Sequence, residues 1–138
     1  MSPSPPNTDD VVQLTQCLYA LFSHLDERRY AALAAMFLPD GRWLRQGRWL
    51  EGRGAILDAL NARPGSMRVR HAISNVLVAG TSATGMRVEA YMTAYRQLEG
   101  QPPSLFSLNL VTNTFRHTDG QWMLAEQQLV RDFEFEAA

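Results

Sequence analysis

The chain has 138 residues, 46% of them hydrophobic, which predicts one domain with a sizeable core. Its formal net charge is −1 and no apolar run approaches the ~20 residues of a membrane helix, so composition argues against nucleic-acid and membrane partners. All 13 basic residues are arginines, which excludes Schiff-base chemistry through a protein lysine and a Walker-type phosphate loop.

The N-terminus predicts a short tail before the first helix. Residues 1–8 are rich in proline and serine and are expected to be disordered, so that a single domain spans residues 9–138. The tail lacks the basic and apolar regions of a secretory signal, and one cysteine excludes an internal disulfide, so we expect a cytoplasmic protein. Apolar spacing predicts a helix over 9–25, with Thr8 as its N-cap.

Two further helices and a hairpin are predicted before residue 65. The second helix covers 27–37 and ends at Pro39-Asp40-Gly41, and the third covers 52–62. Between them, residues 41–52 predict a hairpin that turns at Gly47.

From residue 67 onward the apolar period changes from helical to two, which predicts strands. The strands are expected at 67–79, 85–98, 105–117 and 121–133. Asp119-Gly120 is a strong hairpin signal, and the last three strands are expected to form an antiparallel meander. Helices followed by long strands predict an α+β fold in which three N-terminal helices pack on one face of a curved antiparallel sheet.

A histidine lies in the otherwise strand-like run VRHAISNVLV. The residues that strict alternation places on one face are Val69, His71, Ile73, Asn75 and Leu77. This face carries no arginine, so we expect His71 to point toward the helices. An isolated buried histidine is more often a core residue than a catalyst, so a functional role requires a partner. Asn75 has no predicted role.

Asp26 is the natural partner of His71, because it lies where the first helix ends and can point inward. A carboxylate that accepts from one ring nitrogen fixes the tautomer and raises the basicity of the other. The alternative is that Asp26 ends the helix or pairs with Arg29 at the surface. His24, His71 and His117 are not spaced as metal ligands, so no metal or cofactor is predicted.

Four other side chains are candidate substrate contacts. Asn109 is a candidate contact only if its side of the strand at 105–117 faces inward. Both sides of that strand are partly apolar, so alternation does not say which side that is. Tyr95 is equally consistent with sheet packing, and Trp43 with a place in the core or an interface. Tyr30 is the fourth candidate.

Three segments, followed by a long meander containing DGQWML, occur in an order typical of one superfamily. They are LDERRYAALAAMFLPDGRW, GRGAILDAL and RVRHAISNVLV. In this order they resemble the SnoaL-like branch of the nuclear-transport-factor-2-like (cystatin-like) superfamily, over about residues 9–133. The resemblance implies a cone-shaped sheet around a pocket that helices close, and frequent dimers.

Two enzyme groups of this superfamily, scytalone dehydratase and hexachlorocyclohexane dehydrochlorinase, look similar in pocket layout. Both use an aspartate at the end of the first helix and a histidine in the strand after the third helix, and the resemblance carries these roles onto Asp26 and His71. A polar pocket group of the third meander strand falls at Asn109. A second pocket histidine of the dehydratase has no counterpart near Tyr95, and the pocket lysine of the dehydrochlorinase is also missing.

The resemblance leaves three classes of function open. We expect a cofactor-independent lyase or isomerase that dehydrates, eliminates from, or shifts a double bond in a small cyclic or aromatic molecule, with His71 as general base, and that forms a homodimer or higher homo-oligomer. The segments LDERRY, PGSMRVRHAISNV and AYRQ are also similar to β subunits of aromatic-ring-hydroxylating dioxygenases, which are mainly structural. The third class is a ligand-binding protein without catalysis.

Overall fold

The computed structural model describes residues 5–82 and 85–135. The described part contains three helices and six strands, which form one sheet of order β2-β1-β6-β5-β4-β3. The elements are α1 (Thr8–Asp26), α2 (Tyr30–Ala35), β1 (Phe37–Arg45), β2 (Arg48–Glu51), α3 (Gly52–Asn61), β3 (Met67–Ser82), β4 (Gly85–Leu98), β5 (Ser104–Thr118) and β6 (Gln121–Glu134). The predicted α+β fold, with helices packed on one face of a curved sheet, is confirmed.

The helix α1 begins one residue earlier than predicted. Its N-cap is Asn7 rather than Thr8, because the Asn7 side chain accepts a hydrogen bond from the backbone N–H of Asp10 at 2.7 Å. The apolar side of α1 lies at the centre of the core, where Leu14 and Leu18 are fully buried. Within the described residues, no helix combines the length and the apolar character needed to cross a bilayer.

The helix α2 is shorter than predicted, and the strand β1 takes over its expected end. Pro39 lies within β1 instead of terminating a helix. The β1–β6 register shifts between Phe37 and Arg42, so the missing N–H of Pro39 costs no regular ladder hydrogen bond.

The sheet contains one parallel pair, so the prediction of an entirely antiparallel sheet is wrong at β1. The strands β3 to β6 form an antiparallel meander, while β1 lies parallel to β6 with Trp43 opposite Gln127. The two predicted hairpin turns are confirmed. Gln46-Gly47 and Asp119-Gly120 both have positive φ at both positions, as tight hairpins require.

A β-bulge at Asn75 reverses the alternation of β3. Asn75 has φ +54°, and the β3–β4 register shifts between Ser74 and Leu77. The extra residue turns Val76 toward the core, whereas Leu77 is 57% exposed. Alternation therefore predicted the His71 part of the strand correctly and failed after the bulge. Asparagine tolerates this left-handed conformation better than most residues, which explains Asn75 as a backbone feature.

An ion pair ties β1 to β6. The side chain of Arg42 donates from Nε to Oε1 of Glu126 at 2.8 Å, and its Nη2 lies 2.7 Å from the same oxygen. Burial raises the pKa of Glu126, but hydrogen bonds from Gln128 and Arg42 outweigh it and hold the pKa below its ordinary 4.5. The carboxylate is thus stabilised in the folded state.

We expect Glu126→Gln to lower the free energy of unfolding by about 1 kcal/mol at neutral pH, because a partly exposed charge-assisted pair is lost. A carboxyl pKa that folding depresses contributes stability above the unfolded-state pKa and loses it as pH falls through the folded-state pKa. Urea unfolding at about pH 7 and about pH 3 should therefore show the gap between variant and wild type closing in acid. Glu89→Gln, which removes an exposed pair with Arg87, is the control. A difference in the free energy of unfolding that does not change with pH would contradict the stabilisation of the Glu126 carboxylate by folding.

Candidate active site

The Asp26 carboxylate holds both the ring and the backbone of His71. Its Oδ1 lies 2.5 Å from the ring Nδ1, and its Oδ2 accepts from the backbone N–H of His71 at 3.0 Å. A carboxylate only accepts, so Nδ1 carries a proton and, in the neutral ring, Nε2 keeps its lone pair. The side chains of His71 and Asp26 are 8% and 11% exposed, and the Phe22 ring packs against the imidazole. The structure therefore brings the predicted pair together, and among described residues Asp26 forms no ion pair with Arg29.

Two arginines fix the end of α1, from which Asp26 projects. The last carbonyl groups of a helix lack partners within the helix. Arg63 donates to the carbonyl of Leu25 at 3.1 Å, and Arg70 donates to the carbonyl of Asp26 at 3.2 Å. Cations are favoured at this negative end of the helix dipole. These bonds connect the end of α1 to β3 and the loop before it, so the carboxylate is held against the strand that carries His71.

A cavity of about 1000 Å³ opens beside the imidazole. It lies between the β1–β2 turn, the end of α3 and the β3–β6 part of the sheet. Its lining is largely apolar and includes Leu25, Trp43, Met92, Ala94 and Leu129 together with His71. The volume suits a ligand of drug-like size. The His71 Nε2 forms no hydrogen bond with any residue that the structure describes, so the nitrogen is free to meet a ligand.

Asn109 faces the cavity, which decides the orientation that the sequence left open. The residue is 5% exposed, and its side chain donates from Nδ2 to Ser107 Oγ at 3.0 Å and to the carbonyl of Met92 at 3.4 Å. Both Asn109 and Ser107 line the cavity. The amide oxygen of Asn109 and the hydroxyl proton of Ser107 are then left for a ligand. Sequence reasoning missed Ser107, although it lies two residues from Asn109 on the same face.

Of the two aromatic candidates near the helices, only Trp43 lines the cavity. Trp43 is fully buried, and its indole nitrogen has no hydrogen-bond partner among described residues. Tyr30 is instead a support for Arg63, because its hydroxyl oxygen accepts from Arg63 at 2.9 Å and from Arg28 at 3.3 Å. Contact of Trp43 with a ligand remains a prediction.

Tyr95 lies on the opposite face of the sheet from the cavity. Its neighbour Ala94 points inward and is 4% exposed, whereas Tyr95 is 45% exposed. Successive side chains of a strand point to opposite faces, so Ala94 and Tyr95 cannot both face the cavity. The structure therefore does not bring Tyr95 to the candidate site.

Arg45 and Arg63 bring positive charge to the cavity, and sequence reasoning missed both. The side chain of Arg45 forms no hydrogen bond or ion pair with described residues, and its guanidinium lies 5.6 Å from the Trp43 ring centre. Burial, followed by repulsion from Arg63, lowers the pKa of the Arg45 guanidinium. Nothing in the sequence around these arginines distinguishes them from the other eleven.

The described residues contain no group of three or more His, Cys, Asp or Glu side chains that could hold a metal ion. The polar groups at the site are one oriented imidazole, two polar side chains and two guanidinium groups. This set can remove a proton from a bound molecule and hydrogen-bond its oxygen atoms.

Three solved structures share the fold over most of the chain. A Catenulispora acidiphila protein in complex with S-DNPA has TM-score 0.81 and 19% identity, covering 91% of this chain and 96% of that chain. A candidate scytalone dehydratase from Novosphingobium aromaticivorans has TM-score 0.79 and 20% identity, with coverage of 93% and 89%. The β subunit of a candidate aromatic-ring-hydroxylating dioxygenase from the same organism has TM-score 0.78 and 16% identity, with coverage of 95% and 95%. At these identities the likeness shows the fold.

Comparison with protein families gives a match along most of the sequence. The SnoaL-like domain matches residues 6–127, which include Asp26, His71 and Asn109. No curated protein matches the chain. Since the family match covers far more than half of its length, the chain belongs to the SnoaL-like domain family.

Proposed function

We propose that the protein is a cofactor-independent lyase or isomerase that acts on a small cyclic or aromatic molecule. The observation that carries this proposal is the His71 ring, which Asp26 holds through Nδ1 while the ring lines a largely apolar cavity of about 1000 Å³. An oriented imidazole in an apolar cavity is suited to proton transfer at carbon. The single, unpaired cysteine is consistent with a cytoplasmic location.

In the proposed reaction, Nε2 of His71 removes a proton from the carbon next to a carbonyl group. The electron pair of the C–H bond forms a carbon–carbon double bond, and a hydroxyl group on the next carbon leaves. The imidazolium gives its proton to that hydroxyl, so water is released and His71 returns to its neutral state. In a double-bond shift, the same proton is returned to another carbon. Asn109 and Ser107 hydrogen-bond the oxygen atoms of the substrate.

The fold also occurs in a dioxygenase β subunit, and fold alone does not separate an enzyme from a structural subunit. Two features support an enzymatic rather than a structural function. A carboxylate that binds the ring and the backbone of one histidine fixes its tautomer, which a scaffold does not require. In addition, the His71 ring lines a cavity, and its Nε2 has no hydrogen-bond partner among the described residues.

A screen of cyclic alcohols, enones and halides tests the proposal. Wild type should turn over a member of one class without added cofactor, and His71→Ala should not. Equal turnover by both would reject His71 as the base. Purification of the protein only in complex with an iron-containing partner subunit, with no turnover of any class, would favour the structural alternative.

We further propose that two copies associate through the outer face of the sheet. This face carries large apolar side chains that are each at least 40% exposed, namely Tyr91, Tyr95, Leu105, Leu110 and Phe133. Tyr91 lies opposite Leu110, and Tyr95 lies opposite Leu105, so the patch is continuous across β4 and β5. Monomeric soluble proteins rarely expose large continuous apolar patches. Association gives Tyr95 a role in the interface.

Light scattering after gel filtration tests the association. We expect wild type to have the mass of two or more chains and Leu110→Glu to have the mass of one, because a charge buried without a partner is costly. Val12→Glu changes another exposed apolar residue, on α1, and should leave the mass unchanged. A wild type with the mass of one chain, or an unaltered mass for Leu110→Glu, would contradict the proposed interface.

A further inference from the structure

The cavity is apolar in its interior but lined by positive charge. Five of its lining residues are arginines, and no aspartate or glutamate lines it among the residues that the structure describes. The arginines are Arg45, Arg48, Arg63, Arg96 and Arg131. Only Arg131 is paired with a carboxylate, that of Glu134 at 3.2 Å. The Asp26 carboxylate is bound to the ring of His71, which also lines the cavity.

Arg45 and Arg63 are two part-buried guanidinium groups of the cavity that no described carboxylate pairs with. The side chain of Arg45 has no hydrogen bond or ion pair with described residues. Arg63 donates only to uncharged oxygens, the carbonyl of Leu25 and the hydroxyl of Tyr30. Removing an unpaired charge from water is costly, and two like charges close together add to that cost. An arrangement of this kind is stabilised when an anion binds between the two groups.

We propose that Arg45 and Arg63 bind a carboxylate group of the substrate. The planar guanidinium fork matches a carboxylate through two parallel hydrogen bonds, and Arg45 has all five of its N–H donors free among described residues. The apolar part of the substrate then lies against Trp43 and Leu129, with its reacting carbon toward His71. The position of the reacting carbon rests on the proposed function, whereas carboxylate binding does not.

Calorimetric titration with 2-naphthylacetate and with its uncharged analogue 2-naphthylacetamide tests the inference. We expect wild type to bind the carboxylate at least about 10-fold more tightly than the amide. Arg45→Gln should weaken carboxylate binding by about 10- to 100-fold and leave amide binding within about 2-fold. The control is Arg87→Gln, since Arg87 lies on the outer face of β4 and should alter neither affinity.

Arg45→Lys provides a second variant that keeps the charge and loses the fork. It should retain part of the preference for the carboxylate. Thermal unfolding of each variant shows whether the fold is intact. If Arg45→Gln does not fold, Arg45→Lys and the wild-type comparison of the two ligands still test the inference.

Three results would overturn the inference: equal binding of the two ligands by wild type, no detectable binding of the carboxylate, or equal weakening of both ligands in Arg45→Gln. His71→Ala separates this inference from the proposed function. If it keeps the carboxylate preference and wild type has no turnover in the screen, the anion site stands and the proposed reaction fails. If wild type has no preference but turns over a neutral substrate through His71, the reaction stands and the anion site fails.

Discussion

Replacing His71 by alanine is expected to lower kcat/KM by about 10²- to 10⁴-fold, the usual contribution of one positioned general base. The variant loses the only imidazole that lines the cavity among the described residues. The apolar lining and the two polar side chains on β5 remain, so the substrate should still bind. The rate should therefore fall mainly through kcat, which steady-state kinetics on the substrate found in the screen will measure.

The control for this experiment is His117→Ala. His117 is exposed, lies at the end of β5 and packs against Trp122 rather than the cavity. We expect its kcat/KM to stay within about 2-fold of wild type, because surface substitutions rarely disturb a distant site. Unchanged turnover in His71→Ala, with thermal unfolding showing an intact fold, would exclude the proposed base.

Replacing Asp26 by asparagine is expected to lower kcat by about 10²- to 10⁴-fold with little change in geometry. The asparagine oxygen can still accept from the backbone N–H of His71, which Asp26 Oδ2 now receives at 3.0 Å. The asparagine nitrogen, however, donates to Nδ1 where the carboxylate accepts from it. The ring must then carry its proton on Nε2, so the nitrogen of the proposed base becomes a donor and can no longer remove a proton.

Nitrogen chemical shifts of the His71 ring report the tautomer directly. Wild type should show the proton on Nδ1, and Asp26→Asn should show it on Nε2. The double variant Asp26→Asn/His71→Ala should be no slower than His71→Ala, because residues that act as one unit are not additive. Asp58→Asn, which changes an exposed acid on α3, is the matched control. Full activity in Asp26→Asn would show that Asp26 is structural only.

Local sequence signals predicted the elements that depend on neighbouring residues. The Gly47 and Asp119-Gly120 turns, the α1 helix and the strand β4 agree with the structure, because turn conformation and apolar period are properties of short segments. Where a long-range contact favours a different structure, the local pattern predicts the wrong element. The segment after Ala35 pairs with β6 as a strand, which shortens the predicted second helix.

For the site, alternation placed His71 on the inner face, and the resemblance named Asp26, 45 residues earlier, as its partner. The structure brings the two together, while their catalytic role stays a prediction. Strict alternation could not foresee the bulge at Asn75, because one inserted residue changes the face of every residue after it.

The sequence by itself determined the α+β order of elements, the position of His71 and the absence of lysine. Only the tertiary structure decided that Asn109 faces the cavity and Tyr95 faces away, and that Arg45 and Arg63 line the cavity. The physical reason is that periodicity separates the two faces of a strand but does not identify the buried one when both are partly apolar. The position of two arginines, from a hairpin and a distant loop, at one cavity depends on the packing of the whole sheet, which short segments do not encode.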